Sequence, residues 1–396
     1  MNLSNRISNL EESATLAMAA KARELKSQGV DVISLSLGEP DFKTPQYIQD
    51  GAKEAIDTGK YFAYPPVAGY MDLRVAIADK LNRENNIPYK AENIVVSNGA
   101  KQSIANVMYS LINPGDEVII FSPYWVSYSA IVELTEGKSV FISGDISTDF
   151  KATAKQLEEA ITPKTKALIF SSPCNPTGSV FTKAELEAIA EVVKKHDIIA
   201  IADEIYEHIN YTDEHVSLAS LPGMFERTVT VNGFAKGFAM TGWRVGYIGA
   251  PEWIANGCTK MQGQITSANC SIAQRAALTA LTGDATPTKE MAKEYLERRE
   301  LVKGLLDEIP GVKTNVPKGA FYFFPDVSSY FGKSIGDRKI ENASDLCIYI
   351  LEEAHVSLVT GEAFGDANCV RLSYAASRED LVEALKRIKT ALSKLS

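Results

Sequence analysis

Between residues 94 and 250 the chain repeats one pattern: a short run rich in Val and Ile, a spacer, then another run. The runs are "IVVS" at 94, "EVIIFS" at 117, "KSVFIS" at 138, "KALIFS" at 166, "IIAIADE" at 198, "TVTVNGF" at 228 and "RVGYIGAP" at 244. Near-continuous aliphatic runs read as strands buried on both faces, and the helical spacers between several of them demand crossovers. The pattern therefore predicts an α/β fold: a mostly parallel, seven-stranded sheet flanked by helices. One spacer carries its own start signal. Thr182 and Glu185 make a capping-box pattern ahead of Leu186, Ile189 and Val193 on one helical face. The last two runs lie too close for a crossover helix, so one of them is predicted antiparallel.

The ends of the chain look different. "GAFYFFPDVSSYFG" (319–332), "VSLVTGEAFG" (356–365) and "CVRLSYA" (369–375) read as strands or strand-and-turn pieces. A closing helix follows Ser377, with Leu381, Leu385, Ile388 and Leu392 on its inner face. At 396 residues the chain is long enough for two domains. The expected division is a large domain over 46–285 and a smaller α+β domain built from 1–45 and 286–396.

Charge and cysteine usage exclude several classes. The net charge of −9, without a basic cluster, argues against nucleic acid or an anionic membrane surface as partner. Five scattered cysteines, at 174, 258, 270, 347 and 369, form no CxxC pair, which speaks for a reducing compartment. The four histidines lack HExxH spacing, so no metal site is predicted. The N-terminus carries Glu11 and Glu12 and no long apolar run, and no segment reads as membrane-spanning. A cytoplasmic protein is expected.

In open α/β sheets ligands bind beyond the carboxyl ends of the strands. After "IVVS" comes "NGAKQS", a glycine turn into a helix whose first amides, near Ala100 and Lys101, are free for an anion. Taken alone it is merely a turn. After "KALIFS" comes "SPCNPTG", a rigid loop presenting Asn175. After "IIAIA" comes Asp203, with Tyr206 close behind. After "TVTVNGF" comes Lys236 and, eight residues later, Arg244. Lys236 is either an ordinary surface lysine or an amine kept partly dehydrated to attack a carbonyl. An anion cradle, an isolated acid, an amine and an arginine at one sheet edge suit a phosphorylated, cationic-ring aldehyde, pyridoxal 5'-phosphate.

From end to end the chain resembles the class I aminotransferases of the fold-type-I pyridoxal-phosphate enzymes. "SLGEPDF", "YPPVAGYMDLR", "SNGAKQ", "SPYWVSY", "SPCNPTG", "DEIYEH", "NGFAKGFAMTGWRVGY", "GAFY" and "VRLSYA" stand in that family's order. Within it, "VSNGAKQSI" and "SATLAMAAKA" are most similar to the aspartate/prephenate branch. The resemblance implies that Lys236 bonds the cofactor's aldehyde and Asp203 pairs with its ring nitrogen. Tyr206 and Asn175 then face its phenolic oxygen, and Trp125 stacks on its ring. Gly99, Ala100, Lys101 and Arg244 surround the phosphate, which Tyr64 of a neighbouring subunit also reaches. That makes a homodimer with shared sites. Arg371 takes the substrate α-carboxylate, with the Gly38 backbone beside it.

By the same resemblance, Lys101 reads the distal carboxylate of aspartate or glutamate, and Thr15 goes with use of prephenate. Lys101 is otherwise a solvated lysine, and Thr15 a helix-capping threonine. Two positions depart from the family: Gly233 and Ala235 stand where relatives carry serines, so a hydroxyl donor to the phosphate is missing there. The activity implied is a two-stage exchange of an amino group between amino acids and 2-oxo acids, with Lys236 as both base and acid. Two other readings stand beside it: a β-lyase or synthase on the same scaffold, and a non-catalytic effector sensor.

Overall fold

The computed structural model describes residues 3–10, 14–212 and 214–396. Glu11 and Glu12, and the Ser13 that opens "SATLA", lie outside the described residues. Seven strands form the main sheet: β1 (Ile94–Ser97), β2 (Glu117–Ser122), β3 (Lys138–Ser143), β4 (Thr165–Ser171), β5 (Ile199–Asp203), β6 (Thr228–Gly233) and β7 (Gly246–Gly249). Their order is β1-β7-β6-β5-β4-β2-β3. Only β7 runs against its neighbours, β1 and β6. Twelve residues separate β6 from β7 in the chain, too few for a crossover helix, and the antiparallel pairing follows.

Six of the seven strands are buried, or nearly so, along their length. The exception is β3, where Ile142 alone is buried and Phe141 is half exposed. It pairs only with β2 and so closes the sheet on one side. Its aliphatic run therefore marks an edge strand rather than one covered on both faces. The helix Lys183–His196 starts on Thr182, whose hydroxyl accepts from the Glu185 amide at 3.3 Å, and it buries Leu186, Ile189 and Val193.

The chain ends pack together. Ile33–Ser34 pairs in parallel with Val356–Ser357, and Val359–Thr360, Val370–Ser373 and Tyr322–Phe323 form a second small sheet. "GAFYFFPDVSSYFG" yields only a two-residue strand and a short 3-10 turn, Ser328–Tyr330. Pro325 cannot donate to a ladder, and its carbonyl instead accepts from the Val370 amide. The closing helix, Arg378–Leu392, is capped by Ser377, and Leu381, Leu385, Ile388 and Leu392 are buried. One core joins these elements to Ile205, Tyr206 and Ile209, just past β5. Through that core the C-terminal elements press directly on the ends of the main-sheet strands.

Candidate active site

The register of the sheet sets Asp203, at the end of β5, between Ser171 of β4 and Val231 of β6. A cleft of about 620 Å³ opens over these strand ends. Thr15, Gly38, Ala100, Lys101, Trp125, Asn175, Asp203, Tyr206, Lys236, Arg244 and Arg371 all line it. Gly99 caps the helix Ala100–Leu111 at its rim, with a left-handed φ of 85°. Tyr64 is 93% exposed and does not line the cleft of its own chain. Four cations (Lys101, Lys236, Arg244, Arg371) face two acids (Glu39, Asp203) along this lining. In a chain of net charge −9, that is a local positive field suited to anions.

Lys236 sits in the turn after β6, and its Nζ donates to the Gly38 carbonyl. The rings of Tyr206 and Phe321 lie 5.6 and 5.7 Å away. Burial, and next the Arg371 guanidinium, pull its amine down to about 8. An amine so placed is deprotonated far more often than a surface lysine, and so is nucleophilic. Gly38 has no room for a side chain, because a Cβ would run into the Tyr322 hydroxyl.

Asp203 is fully buried, and desolvation raises its carboxyl to about 6. Two donors resist that rise: the Tyr128 hydroxyl at 2.7 Å and the Ile205 amide at 3.2 Å. A cation placed beside it would restore the ionised form. Tyr128 went unassigned in the sequence, although it stands in "SPYWVSY" one helical turn after Trp125. Replacing Tyr128 by Phe is expected to lower kcat about tenfold, since a hydrogen bond to a charged group is worth about 1.5–3 kcal/mol. With one lowering contact gone, Asp203 protonates at higher pH. The acid limb of the kcat/KM profile is therefore expected to move upward, which a pH series on the variant checks.

The first amides of Ala100–Leu111 have no helical acceptor and carry the positive end of the helix dipole. Arg244 arches over this end, its guanidinium donating to the carbonyls of Thr241 at 3.0 Å and Asn98 at 3.3 Å. A Cβ on Gly99 would overlap that guanidinium, and one on Gly246 would overlap the Ala100 amide. Glycine keeps the cradle open. Lys101 Nζ stands 5.0 Å from the centre of the Trp125 ring, and burial followed by Arg244 lowers its amine.

Arg371 is 2% exposed, and among the described residues it takes part in no ion pair. Its Nη1 donates to Asn175 Oδ1 at 2.9 Å and its Nη2 to the Ser36 carbonyl at 2.7 Å, while Nε has no partner. The rings of Tyr322 and Phe364 cover it from 4.7 Å. Because Arg371 occupies Oδ1, Asn175 has its Nδ2 left as a donor. Tyr322 also bonds the Tyr206 hydroxyl at 2.7 Å. "GAFY" contained Tyr322 and "SLGEPDF" opened on Ser36, but neither had a role assigned, and Phe364 stood in a stretch read only as strand and turn.

Gly233 has a structural reason. A Cβ there would come within 2.8 Å of Gly246 Cα and 2.9 Å of the Val245 carbonyl, because β6 and β7 approach closely at that point. A serine would not fit this backbone.

The parts together define a sheet-edge site for an anionic, aldehyde-bearing ring: a helix N-terminus with a guanidinium, a buried carboxylate, a dehydrated amine and an aromatic plate. This is the fold and site of a fold-type-I pyridoxal-phosphate enzyme. Residues 30–388 match the family described as aminotransferase class I and II, and the chain belongs to it. It is similar to the bifunctional aspartate aminotransferase and glutamate/aspartate-prephenate aminotransferase of Petunia hybrida, 48% identical over 99% of this chain and 83% of that one. Among solved structures it is similar to the aspartate aminotransferase of Rhizobium meliloti, with a TM-score of 0.96, 42% identity and full coverage of both chains. It also resembles that of Thermus thermophilus solved with maleate, with a TM-score of 0.93, 41% identity, and 99% and 100% coverage. The protein is an enzyme, an aminotransferase that works with pyridoxal 5'-phosphate.

Proposed function

We propose that this enzyme moves the amino group of aspartate or glutamate onto 2-oxoglutarate or oxaloacetate, and that it also aminates prephenate to arogenate. The observation that carries the reading is a pair of cations on one cleft: Arg371, a buried guanidinium with no ion-pair partner among the described residues, and Lys101. A buried cation of that kind is costly until an anion arrives, and a substrate carboxylate is that anion. The names of the three similar proteins described above point the same way, and maleate is a four-carbon dicarboxylate.

When bound, pyridoxal 5'-phosphate supplies an aldehyde that takes up amino groups and a protonated ring that draws electrons from the α-carbon. Gly99, Ala100, Lys101 and Arg244 hold its phosphate, and Trp125 covers one face of the ring. Asp203 holds the proton at the ring nitrogen, and Tyr206 and Asn175 donate to the phenolic oxygen. Arg371 fixes the substrate α-carboxylate against the Gly38 backbone, which aligns the Cα–H bond toward Lys236. Lys236 Nζ would take that proton and pass it to the cofactor's carbonyl carbon, across the nitrogen being transferred. Thr15 lines the same cleft as Lys101, and the two would meet a second carboxylate.

Tyr64, bare on its own chain, completes the phosphate site of a second copy, so the working unit is a homodimer. The two-domain division, 46–285 against 1–45 with 286–396, belongs to this reading. So does a cytoplasmic location, which all five cysteines being free supports. Among the described residues no helix is long and apolar enough to cross a membrane.

The deciding experiment compares amino donors. Lys101→Ala is expected to cut kcat/KM for aspartate about tenfold more than for alanine. That figure lies between the ranges for exposed and buried charge pairs, as suits a side chain that protein atoms crowd but that stays open to solvent until substrate covers it. Equal losses on both donors would assign Lys101 to the phosphate alone. Release of pyruvate and ammonia from an amino acid carrying a β-leaving group, without an added 2-oxo acid, would show a β-lyase instead.

A further inference from the structure

Behind the strand end that carries Asp203 lies a second group of charges that the catalytic reading leaves unused. Glu204 directly follows Asp203, and Glu207 directly follows Tyr206; all four are buried, with the two glutamates outside the cleft lining. Each glutamate has built partners. Lys80, 2% exposed on the helix Met71–Asn85, bonds Glu207 Oε1 and also donates to Asn85 Oδ1 at 2.8 Å. Asn85 Nδ2 donates to Glu207 Oε2 at 2.7 Å and to Ser217 Oγ at 2.9 Å. The Ser217 hydroxyl in turn donates to Glu204 Oε2 at 2.5 Å, and His215 Nε2 lies 2.9 Å from the same oxygen.

The cage also reaches the lysine turn. His208, 3.4 Å from Glu207, packs edge-on against Phe238, and a Cβ on Gly237 would stand 2.8 Å from His208 Cβ. One buried network thus braces both the 203–206 segment and the turn 236–238.

We propose that Lys80, acting through Glu207, is a positioning residue that holds Asp203, Tyr206 and the Lys236 turn in register for catalysis. The inference rests on the reading that Asp203 and Tyr206 contact the cofactor. A buried lysine is rare unless paired, and the pairing here spans 127 residues of sequence to the strand end that matters. Two carboxylates beside a third, Asp203, need compensation in a dry interior, or they take up protons and loosen their hydrogen bonds. Lys80 and His215 supply it.

Among the described residues, the charged and titratable groups facing the cage are Glu84 from the helix, Tyr89 from the segment after it, Asp203, Glu204, Glu207 and His208 from the strand end, His215 from the loop, and Tyr247 from β7. Burial alone would push the Glu207 carboxyl up, yet Lys80, with His208 and His215, holds it far below the usual range. Burial would lower His215, yet Glu204 raises it. Glu204, Glu207 and His215 come close enough to hold a metal ion, but the Lys80 ammonium and the Ser217 hydroxyl already bond one oxygen of each carboxylate, and Lys80 supplies the positive charge there.

The test uses the holoenzyme and its Lys80→Met, Glu207→Gln and Ser217→Ala variants, with folding checked by circular dichroism. Three quantities are read: kcat and KM, each for aspartate and alanine, and the pH midpoint of the bound cofactor's absorbance. Lys80→Met and Glu207→Gln are each expected to lower kcat about tenfold or more on both donors, with KM changed by less than threefold. Their absorbance midpoints should move in opposite directions, up when the cation is removed and down when the anion is removed. Ser217→Ala, the mildest variant, should lose a few-fold in kcat with the same KM. If Lys80→Met does not fold, Glu207→Gln and Ser217→Ala carry the test. Variants that melt earlier but keep wild-type kcat and midpoint would reduce the cage to a structural role and overturn the proposal. A wild-type cofactor band with no pH dependence would instead bring down the reading of Asp203 and Tyr206, and this inference with it.

Discussion

Replacing Lys236 by Ala is expected to reduce transamination by about 10⁴-fold or more, while the protein stays folded and still takes up pyridoxal 5'-phosphate. Proton transfer by one positioned group is worth about 10²–10⁴-fold, and Lys236 both bonds the aldehyde and moves the proton. The remaining cofactor contacts proposed here, Asp203, Tyr206, Asn175, Trp125, Arg244 and the helix N-terminus, are untouched, so non-covalent binding persists. Stability is expected to hold or rise slightly. Burial and the Arg371 and Arg244 guanidinia all disfavour the charged amine, and its removal relieves that repulsion. Single-turnover absorbance with aspartate measures the first effect and thermal unfolding the second. A variant that keeps a substantial fraction of wild-type turnover would remove Lys236 from its role.

The main sheet was legible because each of its strands is a Val/Ile-rich run bounded by polar turns, and six of the seven are buried as such runs require. β3 departs because its composition matches the others while its cover does not: β1, at the opposite edge, is buried throughout, and β3 is left largely open. Sequence carries the first and not the second. The site was legible where a polar residue interrupts apolar surroundings at a strand end, as Asp203 and Lys236 do. It was not legible where the contact is made by residues that look like core. Phe364 reads as one more buried aromatic until it is seen 4.7 Å from Arg371. Gly233 looked like a lost hydroxyl donor, and the close passage of β7 gives it a different cause. Lys80 and Glu207 were invisible for a plainer reason: no local pattern announces a partner 127 residues away.

Arg371→Lys is expected to lower kcat/KM about 100-fold, and by a similar factor for aspartate, glutamate and alanine. The side chain keeps its charge in this change and loses its shape. In the native site Nη1 is held by Asn175, Nη2 by Ser36, and the Tyr322 and Phe364 rings each stand 4.7 Å from the guanidinium. A planar fork fixed in this way meets a carboxylate with two parallel bonds, whereas an ammonium offers a point charge that cannot hold Asn175, Ser36 and substrate in one geometry. Loosening a buried charge pair costs about 2–5 kcal/mol, and 2.8 kcal/mol corresponds to about 100-fold. Asn175 adds to the loss, because without Nη1 on its Oδ1 its amide is no longer aimed. Every α-amino acid shares the α-carboxylate, so the ratio of aspartate to alanine efficiency should stay within a few-fold of the native value. A loss confined to the acidic donors would move Arg371 from the α-carboxylate to the distal one.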